Sequence, residues 1–172
     1  LVVDDSAMNR KILMRLLVEC ERSLGWFASG VTVVEADDGR TAVEALRTEM
    51  AVIDAGFDLM LMDYIMLQMH GPDAALAALI MRKELHYQGV IIGLGLPYKH
   101  SLSSHVPICK CDLARYIALG ANTVLTKPLT KAKLAAHLHA STVQLLLSPS
   151  ANSLRVLSAT TVRTGNNELE VK

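Results

Sequence analysis

Phe57-Asp58-Leu59-Met60-Leu61-Met62-Asp63-Tyr64-Ile65-Met66-Leu67-Gln68-Met69-His70-Gly71 is the stretch whose reading decides the fold. Leu59 to Met62 is an apolar run without alternation, the signature of a strand covered on both faces, as in parallel sheets. It delivers a single carboxylate, Asp63, to its carboxyl end. In open parallel sheets ligands bind just beyond the carboxyl ends of the strands. An isolated Asp at such a turn is ordinarily a cap, so the weight of Asp63 depends on what the rest of the chain brings to the same edge.

Upstream, Leu1-Val2-Val3 is a second apolar run, ending in the pair Asp4-Asp5. Ser6 caps the helix that follows, with Met8, Ile12, Leu13, Leu16, Leu17 and Cys20 on its apolar side and Asn9, Arg10, Arg15 and Glu19 between them. A loop over 21–30, holding the only tryptophan, Trp26, leads to an apolar run at Val31–Val34 ended by Asp37-Asp38-Gly39. Thr41–Met50 then reads as a helix with Ala42, Val43 and Leu46 inward. Downstream of Asp63, Pro72 suits a first helical turn, and the helix extends to about Tyr87 with Ala75, Leu76, Leu79 and Ile80 inward.

Val90–Leu94 is a fourth strand, after which residues 97–111 form a polar insert. Asp112 caps a short helix closed by Gly120. Thr123–Leu125 is a fifth strand, followed by Lys127-Pro128, and Thr130 caps a last helix with Leu134, Leu138 and Leu145–Leu147 toward the core. From Ser148 to Lys172 the composition turns to Ser, Asn and Thr without periodicity, as in a tail or linker. Strands alternating with helices predict an α/β fold with a parallel sheet covered on both faces.

Composition bounds the function. The chain has 172 residues, 51% of them hydrophobic, enough for one full core plus a tail. Lys plus Arg and Asp plus Glu are equal at 17 each, so no net field draws nucleic acid or an acidic membrane surface. No apolar run reaches bilayer length and no signal peptide opens the chain, so a cytoplasmic setting is expected, as the cytoplasmic part of a larger sensor or as a free regulator. The sequence starts inside an apolar run without Met, which reads as a piece of a longer chain. Three cysteines, Cys20, Cys109 and Cys111, suit a reducing compartment. Cys109 and Cys111 with His100 and His105 match no common zinc spacing, and the plain reading is a polar insert carrying two thiols.

Asp4 with Asp5, Asp63, and Lys127 thus fall at the carboxyl ends of separate strands and can meet at one edge. Clustered carboxylates repel unless a cation joins them, and an all-oxygen donor set suits Mg²⁺. A lysine beside them supplies positive charge for phosphoryl oxygens.

These residues resemble the receiver domain of two-component response regulators and hybrid histidine kinases. The resemblance runs through Leu1-Val2-Val3-Asp4-Asp5, Leu59-Met60-Leu61-Met62-Asp63 with Met66, Met69 and Gly71, then Gly120-Ala121 and Lys127-Pro128, and covers residues 1–147. It implies a flavodoxin-like fold with strand order 2-1-3-4-5. It also implies that Asp63 accepts a phosphoryl group from the phosphohistidine of a kinase or phosphotransfer domain. Asp4, Asp5, Asp63 and the backbone carbonyl of Ile65 would then hold Mg²⁺, Lys127 would contact the phosphate, and the peptide before Pro128 would be cis.

The sequence departs from that pattern in three places. Gly95 stands where the family has a Ser or Thr, Val124 where it has an aromatic residue, and Leu67 where a Pro usually follows the Met. The acidic pocket is kept while the usual hydroxyl and aromatic switch is missing, which favours a relay role, as inside a hybrid kinase. A pseudo-receiver that binds partners without phosphotransfer is the alternative. An Asp-nucleophile phosphatase would need an acid where Ile65 stands.

Overall fold

The computed structural model describes residues 1–24, 31–52, 56–66, 74–95 and 110–138. Its elements are β1 (Val2–Val3), α1 (Ala7–Leu24), β2 (Glu35–Ala36), α2 (Gly39–Val52), β3 (Leu59–Asp63), α3 (Ala74–Lys83), β4 (Val90–Gly95), α4 (Lys110–Ala118) and β5 (Thr123–Thr126), with residues 131–138 helical as α5. All pairings are parallel, in the order β2-β1-β3-β4-β5. The expected flavodoxin-like α/β architecture is therefore present, and β1 is the point where the winding reverses. Among the described residues no helix is long and apolar enough to cross a membrane. The expectations for Trp26, Pro72, most of the 97–111 insert, Leu145–Leu147 and the 148–172 tail lie outside the described residues.

The period of two in a strand divides the core into two layers. Val2, Leu61, Ile92, Leu94 and Leu125 face Leu13, Leu17 and Cys20 of α1 and Leu134 and Leu138 of α5. Val3, Met60, Met62 and Ile91 face the other way, toward Ala42, Val43 and Leu46 of α2, the alanines of α3 and Tyr116 of α4. Each fully buried aliphatic side chain here contributes about 1.5–3 kcal/mol relative to leaving it in water.

Several boundaries differ from expectation for identifiable reasons. The second strand is β2 at Glu35–Ala36, after the Val31–Val34 run, because β1 pairs Val2 with Glu35 and Val3 with Ala36; Val34 still accepts a bond from the Val2 amide at 2.9 Å. Helix α2 starts at Gly39, earlier than Thr41, because Asp38 caps it. The Thr41 N–H donates to Asp38 Oδ1 at 2.7 Å, and Thr41 Oγ1 lies 3.1 Å from the Asp38 N–H, a reciprocal capping box. Helix α4 spans Lys110–Ala118, so Asp112 lies within it and is not its cap.

In α3 the inward face is Ala74, Ala75, Ala77, Ala78 and Met81, whereas Leu76 is 43% exposed. Small side chains let the helix lie close to the sheet, and Leu76 falls on the opposite side of a 3.6-residue turn. The helix ends at Lys83, short of Tyr87, and the chain turns through His86 at φ 53°. On α1, Leu13, Leu17 and Cys20 are buried as expected, but Met8 and Ile12 face solvent.

Candidate functional site

Each strand end carries one part of the site. Asp4 follows β1, its N–H held by the Ala36 carbonyl of β2 at 3.2 Å. Asp63 is the last residue of β3, and the next amide, Tyr64, donates to Leu94 O of β4 at 2.8 Å. Lys127 follows β5, with its amide on Gly95 O at 2.7 Å and a cis peptide to Pro128, as the resemblance implied. The backbone ladder thus aims three side chains, supplied by residues more than 50 positions apart, at one point.

There the Lys127 ammonium lies 2.8 Å from Asp63 Oδ2 and 3.1 Å from Asp4 Oδ2. Asp4, Asp5 and Asp63 can each offer one oxygen such that all lie within 4.8 Å of one another. Asp4 is fully buried and Asp63 nearly so. Burial pushes the Asp63 carboxyl up to about 6, with the neighbouring Asp4 charge adding to the rise; the Lys127 ammonium and the Ile65 N–H pull against it and do not prevail. For Lys127, burial would lower the pKa, but Asp63 and Asp4 together outweigh it and raise the value above that of a free lysine.

Among the described residues three carboxylates meet one ammonium that contacts two of them, and the donors are all oxygen. That chemistry fits a divalent hard cation such as Mg²⁺, with Asp4, Asp5 and Asp63 as the residues that would hold it. Ile65 lies beside them, close enough for its N–H to pull the Asp63 pKa down.

The structure also brings in residues that sequence reading passed over. Asn9 Nδ2 donates to both Asp4 oxygens, at 3.0 and 3.2 Å, and the Ser6 N–H donates to Asp4 Oδ1 at 2.9 Å. Arg10 bridges the Asp4 carbonyl at 2.8 Å and Glu35 Oε2 at 2.8 Å. In the sequence, Asn9 and Arg10 look like ordinary members of a solvated helix face; only their place in the first turn after Asp4-Asp5 hinted otherwise. At the far side, Gly95 neighbours Val124: a Cβ on Gly95 would meet Leu113 Cδ2 and Val124 Cγ1, each at 3.7 Å. Cys109, His100 and His105 lie outside the described residues, as does the side chain of Cys111.

No protein-family model matches the sequence, and no curated protein matches it. Solved structures do. The signal receiver domain of a response regulator, NarL, from Mycobacterium tuberculosis is 23% identical over 81% of this chain and 91% of its own, with a TM-score of 0.57. The receiver domain of a signal transduction histidine kinase from Syntrophus aciditrophicus is 20% identical over 90% of this chain and 96% of its own, also at 0.57. A two-component system response regulator/GGDEF domain protein is 26% identical over 84% of this chain, with a TM-score of 0.59, and this chain covers 49% of that protein's length. The fold is that of the receiver domains of two-component response regulators, and Asp4, Asp5, Asp63 and Lys127 lie together at one edge of it.

Proposed function

We propose that this chain is a phosphoacceptor receiver domain of a two-component phosphorelay, taking a phosphoryl group from a phosphohistidine onto Asp63. The observation that carries the reading is the convergence on Asp63 of Lys127 at 2.8 Å and of Asp4 and Asp5 within 4.8 Å, at the carboxyl edge of the sheet. A carboxylate oxygen of Asp63 attacks phosphorus, the P–O bond forms as the P–N bond to the donor imidazole breaks, and the electron pair leaves on that nitrogen. The product is an acyl phosphate, a mixed anhydride reactive enough to be a signal with a limited lifetime. Lys127 holds a phosphoryl oxygen while charge shifts toward it. Asp4, Asp5, Asp63 and the Ile65 carbonyl would hold Mg²⁺, which would supply positive charge against the negative charge of the transfer.

The partner is a histidine kinase or a histidine phosphotransfer domain, and the setting is cytoplasmic, as part of a hybrid kinase or a relay regulator. Neither nucleic acid nor membrane is contacted by this domain. The receiver unit spans residues 1–147, with 97–111 as an insert and 148–172 as tail or linker. Gly95 and Val124 favour relay over switching, since neither supplies the hydroxyl or the ring that couples phosphorylation to shape change in the family. The same two residues are what favours the second reading, a pseudo-receiver that binds without transfer.

Incubation with phosphoramidate and Mg²⁺, followed by intact-mass measurement and borohydride trapping, separates the two. One phosphoryl group on Asp63, absent in Asp63→Asn, is the expected result. Label elsewhere, or Mg²⁺ binding with no label at all, would give the site to the pseudo-receiver.

A further inference from the structure

Asp4 is a fully buried carboxylate, and among the described residues its one ionic partner is Lys127, at 3.1 Å. That ammonium is shared, since it lies closer still, at 2.8 Å, to Asp63. When Asp63 carries a phosphoryl group its own carboxylate charge is gone and the new charge lies on phosphoryl oxygens farther out, so the ammonium is drawn toward them. With the ammonium drawn away, the buried Asp4 carboxylate depends on the cation it would hold and on its remaining hydrogen-bond donors.

Neutral donors are already in place. Oδ1 of Asp4 accepts from the Ser6 N–H at 2.9 Å and from Asn9 Nδ2 at 3.0 Å, and Oδ2 accepts from Asn9 Nδ2 at 3.2 Å. The Ser6 donor is backbone, at the entry to α1. The Asn9 amide is the only neutral side chain among the described residues that reaches both Asp4 oxygens, and it stands on the first turn of α1. An amide straddling both oxygens fixes the carboxylate plane, which a single ammonium on one oxygen does not.

We propose that Asn9 is a positioning residue for the acidic site, holding the Asp4 carboxylate in one orientation toward the cation and leaving Lys127 free to serve the phosphoryl group. The proposal rests on the reading of Asp63 as phosphoacceptor. Its general warrant is that carboxylates at metal sites are themselves held by hydrogen bonds, and removing such a partner costs about 10–100-fold in metal affinity or activity.

The test uses Asn9→Leu, similar in shape but without donors, and Asn9→Ala in case the leucine disturbs α1, with far-UV circular dichroism to establish that each folds. Mg²⁺ affinity is measured by calorimetry on the unphosphorylated protein, and the phosphorylation rate is measured with phosphoramidate at saturating Mg²⁺. The expected result is a folded variant with Mg²⁺ affinity lowered about tenfold or more and slower labelling of Asp63. A folded variant with unchanged Mg²⁺ affinity overturns the role of Asn9, since a merely structural residue would move the melting temperature and leave the affinity alone. If the unmutated protein binds Mg²⁺ but is never labelled, the phosphoacceptor reading fails while the calorimetry still decides Asn9. If it binds no Mg²⁺, both fall together.

Discussion

Asp63 lies 2.8 Å from an ammonium and yet keeps its proton up to about pH 6, because the loss of solvation on burial exceeds the attraction of Lys127. The consequence for stability has a definite sign. Between the ordinary carboxyl range and about 6 the folded chain retains a proton that the unfolded chain has released. Stability from this group is therefore present at the acid end of that window and lost as pH rises through it. In chelator-treated protein, Asp63 should lower stability by about 1–3 kcal/mol between pH 4 and 6.5. Urea unfolding of the wild type and of Asp63→Asn across that range checks this: the difference between them should grow with pH in favour of Asn, and saturating Mg²⁺ should erase it. Parallel profiles would mean that Lys127 compensates fully for burial.

At the scale of the element, β4 shows how two glycines in one strand differ. A Cβ on Gly93 would stand 2.4 Å from Tyr116 Cε1, whereas one on Gly95 would make ordinary contacts at 3.7 Å. Gly93 is the floor on which the Tyr116 ring of α4 lies, and that ring in turn packs against Tyr64, the residue after Asp63, with centroids 5.4 Å apart. Gly93→Ala should destabilise the domain by about 1–3 kcal/mol, as overpacking in a filled core does. Gly95→Thr should cost less than about 1 kcal/mol while installing the missing hydroxyl. Thermal unfolding of the two variants decides the stabilities. Backbone NMR shifts with a beryllofluoride mimic should then spread further into β5 and α4 in Gly95→Thr than in the unmutated chain. Equal spread in both would show that a hydroxyl at this position is not what the coupling lacks.

For the molecule as a whole, the half-buried Arg82 at the end of α3 joins parts far apart in sequence. Its guanidinium donates to the Gly120 carbonyl at 3.0 Å, the Tyr87 and Gly89 carbonyls at 2.6 and 2.9 Å, and Asn122 Oδ1 at 2.8 Å. Asn122 Oδ1 also accepts the Ile91 N–H at 2.8 Å, so one fork fastens the end of α3, the start of β4 and the turn into β5. The ring of Tyr87 lies under the guanidinium at 5.2 Å. An ammonium is compact and cannot span these acceptors. Arg82→Lys is expected to cost about 2–4 kcal/mol, with an unchanged urea m-value and unchanged Mg²⁺ affinity, because the fork lies away from the acidic edge. A loss below about 0.5 kcal/mol would show that water replaces the fork without penalty.

What the sequence determined by itself was whatever is local along the chain. The apolar run Leu59–Met62, the carboxylates at the ends of Leu1–Val3 and Met60–Met62, and Lys127 before Pro128 all follow from short-range pattern, and strand ends in a parallel sheet share an edge by topology. The shared edge of Asp4, Asp5, Asp63 and Lys127 was legible for that reason, whereas the strand order 2-1-3-4-5 followed only from the resemblance to receiver domains. Contacts across the fold were decided by tertiary packing. The α3 face turns on Ala74, Ala77 and Ala78 rather than on Leu76, because closeness to the sheet outweighs the larger side chain. Asn9 could not be told from its polar neighbours until α1 was set over Asp4. Lys127, 123 residues from Asp4, divides its ammonium between Asp4 and Asp63 only because β1 and β3 are paired and β5 is tied to β4 through Gly95. Short-range pattern places residues at an edge, and only long-range packing sets which of their atoms touch.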